Sequence, residues 1–226
     1  MKYTITGDNL QFVNVQLDAD EKIQSEAGAM RYMTGNVTME AKMKGGLFKG
    51  LKRAISGDSF FLVDYQAHGG TGIVGLGGAA PGKIVDIDIS KGTWIVQKTG
   101  YLASELGVDL DIAVQKKLGS VFFGGEGFVL QKLSGQGIAF VAACGDFNIV
   151  DLKPGEKYKV STANAVAWQE SVSYDIEAAG GIKTALFGGE GLFVTTLTGP
   201  GKIIIQSMTL PDLAASLIPY LPQKSD

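Results

Sequence analysis

Apolar and polar residues alternate with a period of two along much of the chain. Phe12-Val13-Asn14-Val15-Gln16-Leu17 alternates, as do Ile84-Val85-Asp86-Ile87-Asp88-Ile89, Val108-Asp109-Leu110-Asp111-Ile112 and Val172-Ser173-Tyr174-Asp175-Ile176. Successive side chains of a strand point to opposite faces, so this pattern predicts strands with one buried face. Gly, Pro and Asx residues bound the segments as turns would. With 32 glycines and 6 prolines, the expected architecture is all-β, a sandwich or barrel of short strands. Helix is expected once, from Pro211-Asp212 through Ile218, with Thr209 as its cap and Pro in the first turn. Leu213, Leu217, Ile218 and Leu221 would share one face. The plain expectation is that this face packs on the protein's own body; the alternative is a subunit contact. Residues from Gln223 to Asp226 should fray.

The pattern is also repeated at long range. Phe123-Gly124-Gly125-Glu126-Gly127-Phe128-Val129 returns as Phe187-Gly188-Gly189-Glu190-Gly191-Leu192-Phe193. A weaker copy stands at Ile55-Ser56-Gly57-Asp58-Ser59-Phe60-Phe61. Turn signatures follow each copy: Gly70-Thr71-Gly72, Gly135-Gln136-Gly137 and Gly199-Pro200-Gly201. Upstream, Asp20, Gly92 and Gly155 occupy matching places, and the acid of each motif lies about 35 positions further on. Asp tolerates the left-handed turn conformation that Gly adopts freely, so Asp20 is expected to be left-handed. The units predicted are 16–89, 90–152 and 153–208, within a single domain spanning 1–226.

Composition narrows the picture. Hydrophobic residues make up 45% of 226, and mean hydropathy is +0.15. Yet the apolar runs are short, and a membrane-spanning helix needs about 20 apolar residues in a row. The surplus is therefore expected in the core or between subunits. Met1-Lys2-Tyr3-Thr4 leads straight into strand-like sequence, with no secretory leader expected. Cys144 is the single cysteine, so no disulfide can form within the chain, in keeping with a reducing, cytoplasmic setting. A net charge of −3 and a pI of about 5.3 give no global attraction to nucleic acid or anionic membrane.

Three blocks carry a family resemblance. They are Gln24-Ser25-Glu26-Ala27-Gly28-Ala29-Met30-Arg31-Tyr32-Met33, Gly45-Gly46-Leu47-Phe48-Lys49-Gly50-Leu51-Lys52-Arg53, and Gly189-Glu190-Gly191-Leu192-Phe193 with Gly199-Pro200-Gly201 and Ile205-Gln206-Ser207. In order and spacing the chain resembles the altered-inheritance-of-mitochondria family, in its bacterial and archaeal branch of unknown function. The resemblance implies a β-rich fold related to the double-stranded β-helix and grouped with the tryptophan RNA-binding attenuation protein. It also implies a homotrimer. Mitochondrial relatives are linked to inner-membrane organisation. The family supplies no established catalytic residue or cofactor to carry over, and the absence of a presequence keeps the organelle role from transferring.

Candidate chemistry is sparse. Gly70 to Gly75 matches a dinucleotide fingerprint, but Leu76-Gly77-Gly78-Ala79-Ala80-Pro81 cannot easily supply the helix that the chemistry needs. Gly77 to Ile84 nearly matches a phosphate-binding loop, with Ile84 where a magnesium-ligating hydroxyl belongs. His68, the single histidine, is expected on an exposed loop, and Cys144 as a buried, inert thiol. Asp86, Asp88, Asp109 and Asp111 would share one face if their two strands pair, and such a face could recruit a cation. The plain reading is a solvated strand face, so no metal or cofactor is assigned. Asp58, Glu126 and Glu190 read as turn-fixing acids rather than acid/base groups.

The most distinctive stretch is 41–57. Lys42, Lys44, Lys49, Lys52 and Arg53 interleave there with Leu47, Phe48, Leu51 and Ile55, without an acid. Lys42, Lys44, Phe48, Lys49, Lys52 and Arg53 are the candidates to meet an anionic membrane or an acidic partner, the plain alternative being a loop docked on a neighbouring subunit. The acidic pI argues against RNA. The function expected is a non-enzymatic oligomeric scaffold or assembly module. The alternatives are a ligand-binding module for a small molecule, anion or RNA using 41–57, and an enzyme of unknown reaction.

Overall fold

The structure, a computed structural model, describes residues 1–43, 61–116, 128–178 and 193–222. The first strands are β1 (Lys2–Thr6), β2 (Phe12–Leu17), β3 (Lys22–Glu26), β4 (Met30–Met33), β5 (Val37–Met43), β6 (Phe61–Ala67) and β7 (Gly72–Gly77). Next come β8 (Ile84–Asp88), β9 (Trp94–Gln97), β10 (Tyr101–Glu105), β11 (Val108–Lys116), β12 (Phe128–Gly135) and β13 (Ile138–Ala142). The last are β14 (Cys144–Leu152), β15 (Lys157–Ser161), β16 (Ala165–Gln169), β17 (Ser173–Ala178), β18 (Phe193–Thr198) and β19 (Gly201–Met208), followed by helix α1 (Leu210–Leu217).

Among the described residues the fold is all-β with one short C-terminal helix. Its sheets run β1-β2-β7-β4, β5-β6-β3-β10-β13-β8, β11-β12-β9-β16-β19-β14 and β15-β18-β17. Among the described residues every strand pairing is antiparallel, and none of the sheets closes into a barrel. The barrel half of the expectation is thus corrected: these are open sheets.

Three apolar clusters lie between successive sheets. Val13, Val15, Val74 and Leu76 of the first sheet meet Tyr65, Ala67 and Phe140 of the second. Ile87, Tyr101 and Val141 of the second meet Trp94, Val96 and Leu133 of the third. Ile95, Leu130, Trp168 and Ile203 of the third meet Val160 and Leu197 of the fourth. The two middle sheets are covered on both faces, so β9, β10 and β16 are almost wholly buried. Strands sandwiched in this way carry near-continuous apolar runs. Strands β1 and β17, in the end sheets, bury no residue fully and half-bury only alternate ones.

Turn chemistry follows the glycine pattern. Asp20 is the one non-glycine with positive φ among the described residues, at 66°, and Gly155 holds the matching turn at 76°. Thr209 caps α1. Its hydroxyl accepts from the Asp212 amide at 3.2 Å, and its own amide donates to Asp212 Oδ2 at 3.1 Å. This reciprocal pair satisfies two amide donors at the helix entry.

Burial gives the fold a defined alkaline limit. Burial and the Asp86 hydrogen bond push the Tyr3 phenol up to about 12, and burial raises Tyr65, Tyr101 and Tyr174 above their usual 10.0. Above pH 10 the unfolded chain sheds phenolic protons that the native state keeps, so stability falls as pH rises. Thermal unfolding followed by circular dichroism should show no loss from these tyrosines below about pH 10, and a falling Tm above it.

Candidate functional site

Of the candidate residues in the basic stretch, Lys42 lies within the described residues. Lys44, Phe48, Lys49, Lys52 and Arg53 lie outside them, as do the motif acids Asp58, Glu126 and Glu190. Lys42 does not stand free for a partner. Its strand β5 pairs with β6, and its ammonium binds Asp64, whose side chain is 7% exposed. That hydrogen bond raises the lysine pKa. A buried carboxylate needs such a counter-charge, so Lys42 is tied to the fold.

Asp64 belongs to a polar row across the second sheet. Gln24 lies opposite Asp64 on one side and opposite Ser104 on the other. Gln24 Nε2 donates to Ser104 Oγ at 3.0 Å and to the Val108 carbonyl at 3.1 Å, and Tyr101 OH lies 3.0 Å from Ser104 Oγ. These side chains satisfy one another inside the core, a structural arrangement that joins the second and third sheets.

The remaining candidates are placed apart. Gly72 to Gly77 form β7 and Ile84 opens β8, so neither phosphate-binding pattern leads into a helix. His68 is half exposed, with Nε2 2.8 Å from Thr38 Oγ1 and Nδ1 3.9 Å from Asp20 Oδ1. Cys144 is buried; burial, then the negative charge of Asp212, pushes its thiol pKa up. A raised pKa leaves little thiolate, the reactive form. Asp86 and Asp88 lie in the second sheet, whereas Asp109 and Asp111 lie in the third. The condition for a shared carboxylate face is therefore not met, because β8 pairs with β13 and β11 with β12. Asp86 instead accepts from Tyr3 OH at 2.9 Å, and Asp88 pairs with Lys91 at 3.1 Å.

Among the described residues, exposed apolar side chains run together at the C-terminal end. No residue of α1 is buried, contrary to the expectation that the helix packs on its own body. Leu217 is 54% exposed, Ile218 63%, Tyr220 85% and Leu221 59%. The amphipathic spacing holds, but Leu213 is the single residue of the helix that is even half-buried. Asp212 is the one charged residue of α1.

One structural residue escaped the sequence reading. Arg31 donates to the carbonyls of Gly28 and Gly77 at 2.9 Å each and of Gly78 at 2.6 Å, clamping β4 to β7. Arg31→Ala should lower the unfolding free energy by about 1–2 kcal/mol in a denaturant titration. Arg31→Lys should recover only part of it, since an ammonium lacks the planar fork.

Comparison with known proteins agrees with this architecture. An uncharacterised protein of Streptococcus pyogenes serotype M6 is 29% identical over 236 aligned positions, covering 100% of this chain and 93% of that protein. The X-ray crystal structure of a Streptococcus pyogenes protein, a structural genomics target, superposes with a TM-score of 0.81 at 26% identity, covering 97% of this chain and 99% of that one. The family model for mitochondrial biogenesis AIM24 matches residues 3–208. From the first strand to the last, the chain belongs to the AIM24 family.

Proposed function

We propose that the protein is a non-enzymatic assembly module: a single body of three β units that associates with further copies of itself through its C-terminal helix. The observation that carries this reading is the exposed apolar run from Leu217 to Leu221, with no residue of α1 buried. A second copy is the favoured partner. Helices that lie on anionic lipid carry Lys or Arg on their polar face, and α1 carries Asp212 alone. The trimer that the family resemblance implies is its expected form.

Recurrent strand registers support the three units. The β4–β7, β10–β13 and β16–β19 ladders each shift register once, between Met30 and Tyr32, Tyr101 and Ala103, and Ala165 and Ala167. Two junctions also match: β3 joins β10 with Ser25 opposite Ala103, and β9 joins β16 with Val96 opposite Ala167. Bulges bend strands in a defined way, so a bulge at one rung of three ladders supports one unit used three times.

Hydrogen exchange tests the helix as the contact. The amides of α1 should exchange more slowly at high protein concentration than at low, while those of β17 do not change. Equal exchange of α1 across a hundredfold dilution, in a preparation whose mass stays above that of one chain, would place the contact elsewhere.

A further inference from the structure

The two junctions leave a third pair of edges over. β4 corresponds to β10 and β16, and β15 corresponds to β3 and β9, yet among the described residues β4 pairs only with β7 and β15 only with β18. If a second copy added end to end, its β4 would meet β15 through the same junction, and the stack could grow without limit. Open strand edges invite such growth, and stacked repeats need terminal units with altered outer faces. The inference below rests on the three-unit reading.

The residues at both ends depart from the inner pattern at the positions where a neighbour would sit. Inside the molecule, small residues on β10 and β16 face large ones on the next strand: Ala103 lies opposite Phe140, and Ala167 opposite Ile204. Phe140 and Ile204 point into the core and are 0% and 1% exposed. On the first sheet the sizes are reversed, with Tyr32 opposite Gly75. The Tyr32 ring occupies the space that a Cβ on Gly75 would need. Its hydroxyl binds Asn14, whose Nδ2 donates to Thr6 Oγ1 at 3.1 Å. A ring seated over glycine and fastened by a hydrogen bond closes the face that Phe140 and Ile204 present to the preceding layer.

The other end departs through charge. Trp94 lies opposite Leu133 and Tyr158 opposite Leu197, so Lys159 takes the place of Ile95, and of Gln24 in the first unit. Ile95 is buried in the third cluster, and Gln24 is buried and doubly hydrogen-bonded. Lys159 is exposed on β15, an edge strand whose one partner among the described residues is β18. Completing the junction would set its ammonium opposite Met33 and take it out of water, a large cost without a counter-charge.

We infer that Tyr32 with Gly75, and Lys159, are end caps that stop further copies from adding to the stack. Association is thereby confined to other surfaces, and the assembly is finite.

Two half-opened chains test this, both carrying Leu217→Asp and Tyr220→Asp so that contact through the helix cannot intervene. One carries Lys159→Ile, which opens the last edge. The other carries Tyr32→Ala with Gly75→Phe, which copies the inner pattern onto the first face. Sedimentation velocity should find neither chain changed alone, and an equimolar mixture should form a complex of doubled mass. A mixture that stays unassociated while both chains melt cooperatively would overturn the caps. If the double substitution does not fold, Tyr32→Ala alone takes its place. The unaltered protein supplies an independent check: growth in mass without limit as concentration rises would also overturn the inference, whereas loss of all association in the helix variant alone bears only on the helix.

Discussion

Trp168→Ala should lower the unfolding free energy by about 3–5 kcal/mol, the range for truncating a large buried aromatic. Trp168 lies in β16 at 0% exposure, within the cluster that joins the third and fourth sheets. Its ring packs against Tyr174 at a centroid distance of 5.2 Å and lies in register with Ile95 and Ile203. Truncation would leave a void lined by two sheets whose backbones are fixed by their ladders, so the walls can relax only in part. The fourth sheet has three strands and touches the body through this cluster. The variant should therefore expose β17 and β18 to exchange before the first sheet. Denaturant unfolding with residue-resolved hydrogen exchange reads both effects.

Gly82→Ala should cost about 3 kcal/mol, through crowding rather than a void. The segment Pro81 to Lys83 crosses the segment Ala143 to Gly145 in a short parallel bridge. Lys83 N donates to Gly145 O at 3.0 Å, Ala143 N to Lys83 O at 2.9 Å, and Gly145 N to Pro81 O at 2.9 Å. A Cβ on Gly82 would overlap the Ala143 carbonyl oxygen and lie 2.8 Å from Gly145 N. Both are backbone atoms held by those bonds, so neither can yield cheaply. This bridge ties the entry of β8 to the entry of β14, and the Lys83–Asp146 ion pair at 2.6 Å closes over it. An unfolding midpoint within error of the parent would show that the crossing is looser than the geometry implies.

Much of the fold was legible because local chemistry decides it. Strands β2, β8, β11 and β17 announced themselves by period two, each having a wetter face at an edge or an end of the stack. Asp20 could be placed in a left-handed turn because only Gly, Asn and Asp adopt that conformation readily. The start of α1 was legible in Thr209, Pro211 and Asp212. What stayed hidden depends on register and on long-range partners. The strands buried on both faces, such as Tyr101–Glu105 and Ala165–Gln169, carry no alternation. The Lys42–Asp64 pair is a diagonal contact, with Lys42 opposite Leu62 and Asp64 opposite Glu40, and spacing along the chain cannot express that register. The exposure of α1 was equally hidden, since an amphipathic stripe looks the same whether its own body or another copy covers it. The exchange of Tyr32 and Gly75 against Ala103 and Phe140 becomes visible only when the ladders are laid over one another.

The protein is thus read as a stack of β sheets with closed ends and one uncovered apolar helix. Among the described residues Lys42, Cys144 and Asp86 are committed to the fold, and the contacts proposed for the protein run through α1. Light scattering on the unaltered full chain, across a dilution series into the micromolar range, tests this most directly. The account predicts a fixed multiple of the 23.8 kDa chain mass, a trimer in the expected form, falling to the mass of one chain when Leu217→Asp and Tyr220→Asp are introduced. A mass of one chain for the unaltered protein throughout the series would contradict it.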